Sequence, residues 1–547
     1  MNYTNAFEYC GELIEKGLSY VKYKSSGKEG NGLDDHQQAI YDLSFSYAEL
    51  KAAKNFQQFA QSKSEREQAL ANVFAADVIT QILSRLKRAP QDIGLSSLDF
   101  EGKDFEGKDA KNESVVRNFI SQHLSSDYLG ALGSELSNNE GNLGDRGLDE
   151  EKQLMADTFH QFGIDLVEPF AERIHREDLM IPDSILDGLK ELGCFGLSVP
   201  ERFGGLLPND KEDSLGMIVV TEELSRSSLA GAGSLITRPE IMARALLEGG
   251  TDEQQKNWLP KLALGEPLCG IAITEPDYGS DVASIRLQGT EVEGGWLLNG
   301  AKTWSTFAGK AGVLLTLART NNDLTLGHRG LSLFMVEKPS TNDHKFDVVQ
   351  DDGGRLSGVA IPTVAYRGMH SYQLFFDNFF IPSSNLLGGE KGLGKGFYYT
   401  MRGFMGGRIQ TAARACGVMQ AAFDAAVVYA NDRKVFGKTI ASYQLTQCKI
   451  ARMAAYLAGC RQYTYAIGRL MDKSEGQTEV SLVKLLACKT AEWLTREAMQ
   501  IHGGMGYAEE SAVSRYWLDA RVLSIFEGTE ETLALKVIGR HLVENSL

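Results

Sequence analysis

One acidic residue near the end of this 547-residue chain stands where a base could work. Glu527 follows the run Leu523-Ser-Ile-Phe526 and is followed by Gly528 and Thr529. A carboxylate set against apolar side chains is poorly solvated. That raises its pKa and makes it a usable proton acceptor. Ahead of it, Gly503, Gly504 and Gly506 interrupt a helical pattern within His502-Gly-Gly-Met-Gly-Tyr507. Glycines placed so let backbone approach a bulky ligand. A lone Glu-Gly is ordinarily a solvated turn, and what argues otherwise is its company.

Three further stretches carry chemistry. Ile271-Ala-Ile-Thr-Glu-Pro-Asp-Tyr-Gly-Ser-Asp281 ends a strand in a turn fixed by Pro276 and Gly279. It offers backbone N–H groups and the hydroxyls of Thr274 and Ser280 to a ligand. In Asn299-Gly-Ala-Lys-Thr-Trp-Ser-Thr306 an indole, Trp304, lies two residues from a hydroxyl, Thr306. A large flat cofactor needs both, a face to lie on and a donor for a ring nitrogen. In Asp432-Arg-Lys-Val-Phe-Gly-Lys438, Arg433 offers a planar fork for phosphate and Phe436 a stacking face. Alone, that last stretch reads as a charged helix end.

The elements that must hold these residues change along the chain. Residues 1–88 read as helices, with Phe7, Cys10, Ile14, Leu18 and Val21 at helical spacing. Asp99-Phe-Glu-Gly-Lys103, repeated as Asp104 to Lys108, reads as a turn-rich connector. One more helix is expected over 115–132, and Gly141, Gly144 and Gly147 mark a linker. A second helical block runs from Glu150 to Leu264, with Gln254 to Pro260 at a helix end. Short β-rich runs follow at 269–273, 296–299, 313–318, 331–336 and 374–381. Long helices return over 409–433, 444–471 and 480–501.

Composition narrows the class. A formal charge of -16 argues against a nucleic-acid surface. The seven cysteines show no metal-ligand spacing, so no metal is expected, and they read as core thiols of a reducing, cytoplasmic protein. The N-terminal residues do not read as a signal peptide, and no run approaches the length of a membrane span.

Taken together, in this order, the motifs resemble the acyl-CoA dehydrogenase family over residues 150–547. The resemblance implies an α+β, mainly α, fold: an α-domain (149–268), a β-barrel-like domain (269–382) and a C-terminal four-helix bundle (383–547). An extra helical module, 1–148, stands in front. It implies FAD as cofactor, contacted by Ile271, Ile273, Thr274, Trp304, Thr306, Gln444, Gln500, Gly503, Gly504 and Thr529. Arg433 and Phe436 match a pair that reaches the FAD of a neighbouring subunit, so a homodimer or homotetramer is implied. Gly279, Ser280, Arg408 and Gly528 match positions beside the acyl-CoA substrate, and Glu527 matches the catalytic base. In the family the base takes the α-proton while the β-hydrogen leaves as hydride to flavin N5, and an electron-transfer flavoprotein then accepts the electrons. The family's second location for a base falls at Gly407, which has no side chain to offer. The chain departs from the family at Glu531, often Gln, and at Val364-Ala365, usually Met-Gly.

Within the family, the N-terminal module, Ser234 to Glu240, Asp351 to Gly354, Tyr366 to Met369 and Arg408 to Arg414 resemble the methylsuccinyl-CoA dehydrogenase branch. That resemblance implies oxidation of (2S)-methylsuccinyl-CoA to mesaconyl-CoA. Dehydrogenation or oxidation of another ester (glutaryl-, short- or branched-chain) stays open. The stretch around Arg226 and Pro239 resembles the glutaryl-CoA dehydrogenase segment that meets a distal carboxylate. Arg226 is therefore the expected anchor for a second carboxylate, with Arg238 as its rival.

Overall fold

A computed structural model of the protein describes residues 3–26, 32–100 and 110–546. Most of the doubled Asp-Phe-Glu-Gly-Lys stretch lies outside the described residues. Among the described residues, the N-terminal module holds five α-helices: α1 (Tyr3–Ser25), α2 (Gln37–Ala60), α3 (Glu65–Arg88), α4 (Ala110–His123) and α5 (Ser126–Asn138). The single helix expected over 115–132 is two. Ser125 is the reason: its hydroxyl accepts from the Tyr128 N–H at 3.2 Å and starts a new helix.

Six helices follow: α6 (Glu150–Phe162), α7 (Glu168–Arg176), α8 (Asp183–Glu191), α9 (Ser214–Ser227), α10 (Thr237–Gly249) and α11 (Asp252–Leu264). Gln254 starts α11 rather than ending a helix, in a capping box with Thr251, and the helix continues through Pro260 to Gly265. Eight strands come next: β1 (Cys269–Ala272), β2 (Gln288–Val292), β3 (Gly295–Thr306), β4 (Val313–Arg319), β5 (Leu331–Glu337), β6 (Lys345–Val349), β7 (Arg355–Ala360) and β8 (Ser371–Pro382). They form one sheet in the order β1-β4-β2-β3-β8-β7-β6, with β5 on β4. Three of them, β2, β6 and β7, are additional to the expected runs. Then come α12 (Gly396–Asp432), α13 (Gln444–Met471), α14 (Glu479–His502) and α15 (Ala512–Leu523). Helix α12 starts well before the expected Ile409, because Gly403, Gly406 and Gly407 lie inside it.

The chain divides into two compact units, one of residues 155–410, the other of 1–154 with 411–547. In the first, the sheet carries its own core of Leu298, Leu314, Phe334, Leu356, Tyr372 and Leu374. In the second, α2, α3 and α5 of the N-terminal module pack on α13, and α2 also packs on α14. Helices α5 and α13 approach so closely that a side chain at Gly133 would overlap the Gln447 carbonyl. Helix α3 is long and apolar enough to cross a membrane, yet Leu70, Val73, Phe74, Val78 and Ile82 are buried in this unit. The glycine-rich stretch after α5 is tied down too. Asp145 N–H donates to Glu67 at 2.6 Å, and Arg469 donates to the Gly147 carbonyl at 2.8 Å.

Asp77 on α3 is 4% exposed and accepts from Arg452 (2.7 Å) and Tyr456 (2.8 Å), both on α13. Asp77→Ala leaves Arg452 without its acid. A loss of about 3 kcal/mol is expected, read as a lower unfolding midpoint. An unchanged midpoint would mean that the module is not anchored there.

Candidate active site

In the unit of residues 155–410, the hydroxyl-rich turn after β1 is held from inside. Lys302 on β3 is fully buried, and its ammonium donates to Glu275 (2.9 Å) and to the Ile273 carbonyl (2.8 Å). Glu275 in turn accepts the N–H groups of Arg286 (2.6 Å) and Leu287 (2.7 Å). One carboxylate thus closes the loop 275–287 on itself. Burial pushes the Lys302 amine down to about 8, with Glu275 pulling the other way. Outside this clamp lie the residues named for the cofactor and substrate. Ile273 is buried, Thr274 and Ile271 are half-buried, and Gly279 and Ser280 are exposed.

Trp304 is 55% exposed, an unusual state for an indole on a central strand. The β3–β8 register shifts between Lys302 and Ser305, so Thr303 and Trp304 form a bulge, and Trp304 takes a left-handed φ of 54°. Bulges re-aim side chains and are over-represented beside active sites. Two residues on, the Thr306 and Ser371 hydroxyls lie 2.9 Å apart. An open aromatic face beside hydroxyls is what a flat heteroaromatic ring requires.

In the other unit, Glu527 follows the end of α15 with φ 56°, and Gly528 continues at 97°. A left-handed glutamate costs of order 1 kcal/mol and persists only where its surroundings insist. Buried Lys484 donates to the Gly528 carbonyl at 2.6 Å, Ser524 donates to Glu492, and the Glu530 N–H returns to the Ser524 carbonyl at 3.0 Å. Thr529 caps the short turn beyond, accepting from the Thr532 N–H. The surroundings of the carboxylate correct the sequence reading. Phe526 is there, but so is the fully buried guanidinium of Arg414, 3.9 Å from Glu527 and stacked on the Phe526 ring at 4.8 Å. The Glu527 N–H donates to no group among the described residues.

The N-terminal module reaches this loop. Tyr41 on α2 donates to the Glu530 carboxylate, which Lys489 also meets at 3.3 Å. Ser44 donates to the Ala534 carbonyl at 2.8 Å. Burial and the Glu530 charge both hold the Tyr41 phenol up, so it stays a donor. The sequence offered no signal for this contact.

Gln500 is exposed at the end of α14, and Gly503 takes φ 60°. Side chains added at Gly503 or Gly504 would meet open space, so a bulky group has room against this backbone. Gln444 is exposed at the start of α13. Arg433 is exposed at the root of a two-stranded hairpin, β9 (Lys434–Val435) and β10 (Lys438–Thr439). The expected helix end is therefore a hairpin. Its two-residue turn, Phe436-Gly437, has both φ angles positive (49° and 84°) and leaves the Phe436 ring 97% exposed.

Residues 149–266, 270–379 and 394–543 match the N-terminal, middle and C-terminal domains of acyl-CoA dehydrogenases. The chain belongs to the acyl-CoA dehydrogenase family. It is 42% identical to (2S)-methylsuccinyl-CoA dehydrogenase of Cereibacter sphaeroides over 74% of this chain and 71% of that protein. Butyryl-CoA dehydrogenase of Megasphaera elsdenii has a TM-score of 0.66 at 28% identity, over 73% of this chain and 99% of that one. A glutaryl-CoA dehydrogenase with glutaryl-CoA has a TM-score of 0.64 at 30% identity, over 72% and 95%.

For an acyl-CoA dehydrogenase the second base location matters. Gly407 has no side chain, but a carboxylate does stand beside Gly406. It is Glu240 of α10, a residue that the sequence reading passed over as a base. Glu240 is 2% exposed, lies 2.7 Å from Arg244 and accepts from Gln410. A carboxylate so tied is poorly suited to take a proton. Arg226 ends α9 with its guanidinium 3.7 Å from buried Glu223, so it already balances a charge of the protein. Arg408 lies half-buried within α12. Among the described residues, Asp178, His344 and His370 are grouped as a metal site would be. Arg367 stands 3.6 Å from the same Asp178 oxygen that meets His370, so a cation is already there.

Two variants test the loop. Glu527→Gln should retain FAD and CoA-ester binding but lose at least roughly 10³-fold in kcat, since an amide accepts no proton. A yellow, folded variant at near-normal turnover would exclude Glu527 as the base. Tyr41→Phe should lower kcat by about threefold to tenfold at unchanged FAD content. An unaltered kcat would make the module a passive cover.

Proposed function

We propose that this acyl-CoA dehydrogenase converts (2S)-methylsuccinyl-CoA to mesaconyl-CoA, with Glu527 as the α-proton acceptor. The observation that carries the chemistry is the Glu527 loop: one carboxylate in a strained, multiply pinned turn, with its backbone N–H unspent. An α-proton of a thioester is a very weak acid, and its removal needs both a base and a donor at the carbonyl oxygen, where charge develops. Glu527 can supply both from one residue. Arg414, stacked on Phe526, stands 3.9 Å from the carboxylate, while Lys484 fixes the backbone behind it. FAD, the cofactor of the family, supplies the hydride acceptor when bound. Trp304 and Thr306 would flank its ring, with Ile271, Ile273 and Thr274 on the pyrimidine side. Arg433, Phe436, Gln444, Gln500, Gly503, Gly504 and Thr529 would hold the remainder. Gly279, Ser280, Arg408 and Gly528 are the proposed acyl-CoA contacts.

The choice of methylsuccinyl-CoA is supported by the similarity to the Cereibacter sphaeroides enzyme. An electron-transfer flavoprotein is the proposed acceptor. Seven free thiols, six of them buried, fit a reducing compartment such as the cytoplasm. Bleaching of the flavin absorbance by a panel of acyl-CoA esters tests the substrate. Methylsuccinyl-CoA should bleach fastest, and the bleached enzyme should reoxidise slowly in air. Faster bleaching by glutaryl-CoA or butyryl-CoA would replace the substrate, and rapid reoxidation would make the protein an oxidase.

Assembly as a homodimer or homotetramer belongs to the same reading. A phenyl ring 97% exposed at the tip of a strained turn is without a partner among the described residues, and Arg433 is near it in sequence. Arg433→Ala should lower FAD retention through dialysis by at least about tenfold. A monomer that holds FAD at full occupancy would exclude an intersubunit role.

A further inference from the structure

Within the unit of residues 1–154 and 411–547, a cleft of about 290 Å³ lies where α2 and α3 of the N-terminal module meet α13 and α14. Small-molecule sites begin at about that size, roughly 300 Å³. Aromatic side chains wall it. The Tyr456 and Trp493 rings lie 5.2 Å apart and tilted, with Phe45 of α2 and Leu486 of α14 on the same cleft. The acids that line it are already engaged. Glu49 is buried and accepts from both terminal nitrogens of Arg85, at 2.6 and 3.0 Å. Asp77 accepts from Arg452 and Tyr456, as described for the anchoring of the module.

The donors are not all engaged. Both bonds from Arg452 to Asp77 leave from the one nitrogen Nη2. The buried Nε of Arg452 meets no acceptor. Neither its Nη1 nor the Trp493 indole N–H has one among the described residues. Lys489 is half-exposed and meets Glu530 at 3.3 Å from each oxygen, a looser pair than Arg85 with Glu49 at 2.6 Å. Aromatic walls, saturated acids, spare donors and a loosely held ammonium suit one kind of occupant. It is an anion with an apolar body.

We propose that this cleft binds a small organic carboxylate with an aromatic body, and that its occupant lowers turnover through the Glu527 loop. The carboxylate pairs with Arg452 and Lys489 while the body lies against Trp493. Lys489 and Tyr41 both line the cleft and both hold Glu530, three residues after Glu527. An anion that draws Lys489 from Glu530 removes one tie on that loop without competing with the ester. Anion and Glu530 then contend for the same ammonium, so loss of one strengthens the hold of the other. The effect on turnover rests on the reading of Glu527 as the base, and the binding does not.

The test titrates the FAD-loaded full chain calorimetrically with benzoate, acetate and neutral benzamide. Benzoate should bind at a single site per chain, and acetate and benzamide at least about tenfold more weakly. Trp493→Leu should weaken benzoate at least about tenfold, and so should Arg452→Lys, which keeps a cation beside Asp77 but loses the planar fork. Glu530→Gln should tighten it, because Lys489 is released. Against the ester that bleaches the flavin fastest, benzoate should lower kcat with KM little changed, and Lys489→Met should lose that inhibition. Benzoate that competes with the ester, or that inhibits Lys489→Met as it does wild type, would lie in the ester site and overturn the proposal. So would equal binding of benzamide, or benzoate binding that none of the variants alters. Binding as expected with kcat unmoved would overturn the control of the loop. If Glu527→Gln retains turnover, the base reading falls, and the titrations still decide the cleft.

Discussion

A lysine with no access to water holds the middle domain in working order. Lys302 reaches from β3 to the turn after β1, and its ammonium has one acid and one carbonyl to satisfy it. Removing either charge of a buried pair is far more costly than the pair's net contribution, because the survivor is left in a poor solvent. Everything on the cofactor side follows from this constraint. With Glu275 fixed, the N–H groups of Arg286 and Leu287 have a common acceptor, and Thr274, Gly279 and Ser280 lie on a closed loop. With Lys302 turned inward, the next residues must absorb the misfit with β8, and the bulge that results turns Trp304 out.

Three residues assigned to the site have backbones that their side chains do not favour: Trp304, Phe436 and Glu527, with φ of 54°, 49° and 56°. Each is an aromatic or acidic group in a conformation usually left to glycine or asparagine. Each is held by neighbours that do no chemistry: a clamp, a hairpin, a pinned loop. Stability has been given up at these points for placement.

Much of this was legible in the sequence, and the reasons for success and failure are physical. Helix α13 was read at its true ends because apolar periodicity continues unbroken from Gln444 to Met471. The motifs that carry the family resemblance were legible because they combine distinctive residues, such as Trp304 and Glu527, at a fixed order along the chain. Strand β6 was missed because alternate residues are exposed, and β7 because Ser357 and Gly358 dilute its pattern. The early start of α12 was hidden by glycines that packing tolerates, one of them beneath Glu240. Arg414 was seen only as part of a motif, since nothing in a helical run tells which turn will face a loop more than a hundred residues on.

The contact between Tyr41 and Glu530 spans 489 residues of sequence, and Ser44 to Ala534 spans 490. A ribosome therefore releases the helix that supports the Glu527 loop long before it releases the loop. Until then α2 has a polar and apolar face with no native partner, and closing so long a loop is entropically slow. The turn that holds Glu527 gains this support only after Glu530 and Ala534 have been made. A nascent or interrupted chain therefore folds much of its bulk while the Glu527 loop is still unsupported, and ordering of that loop should lag behind ordering of the rest.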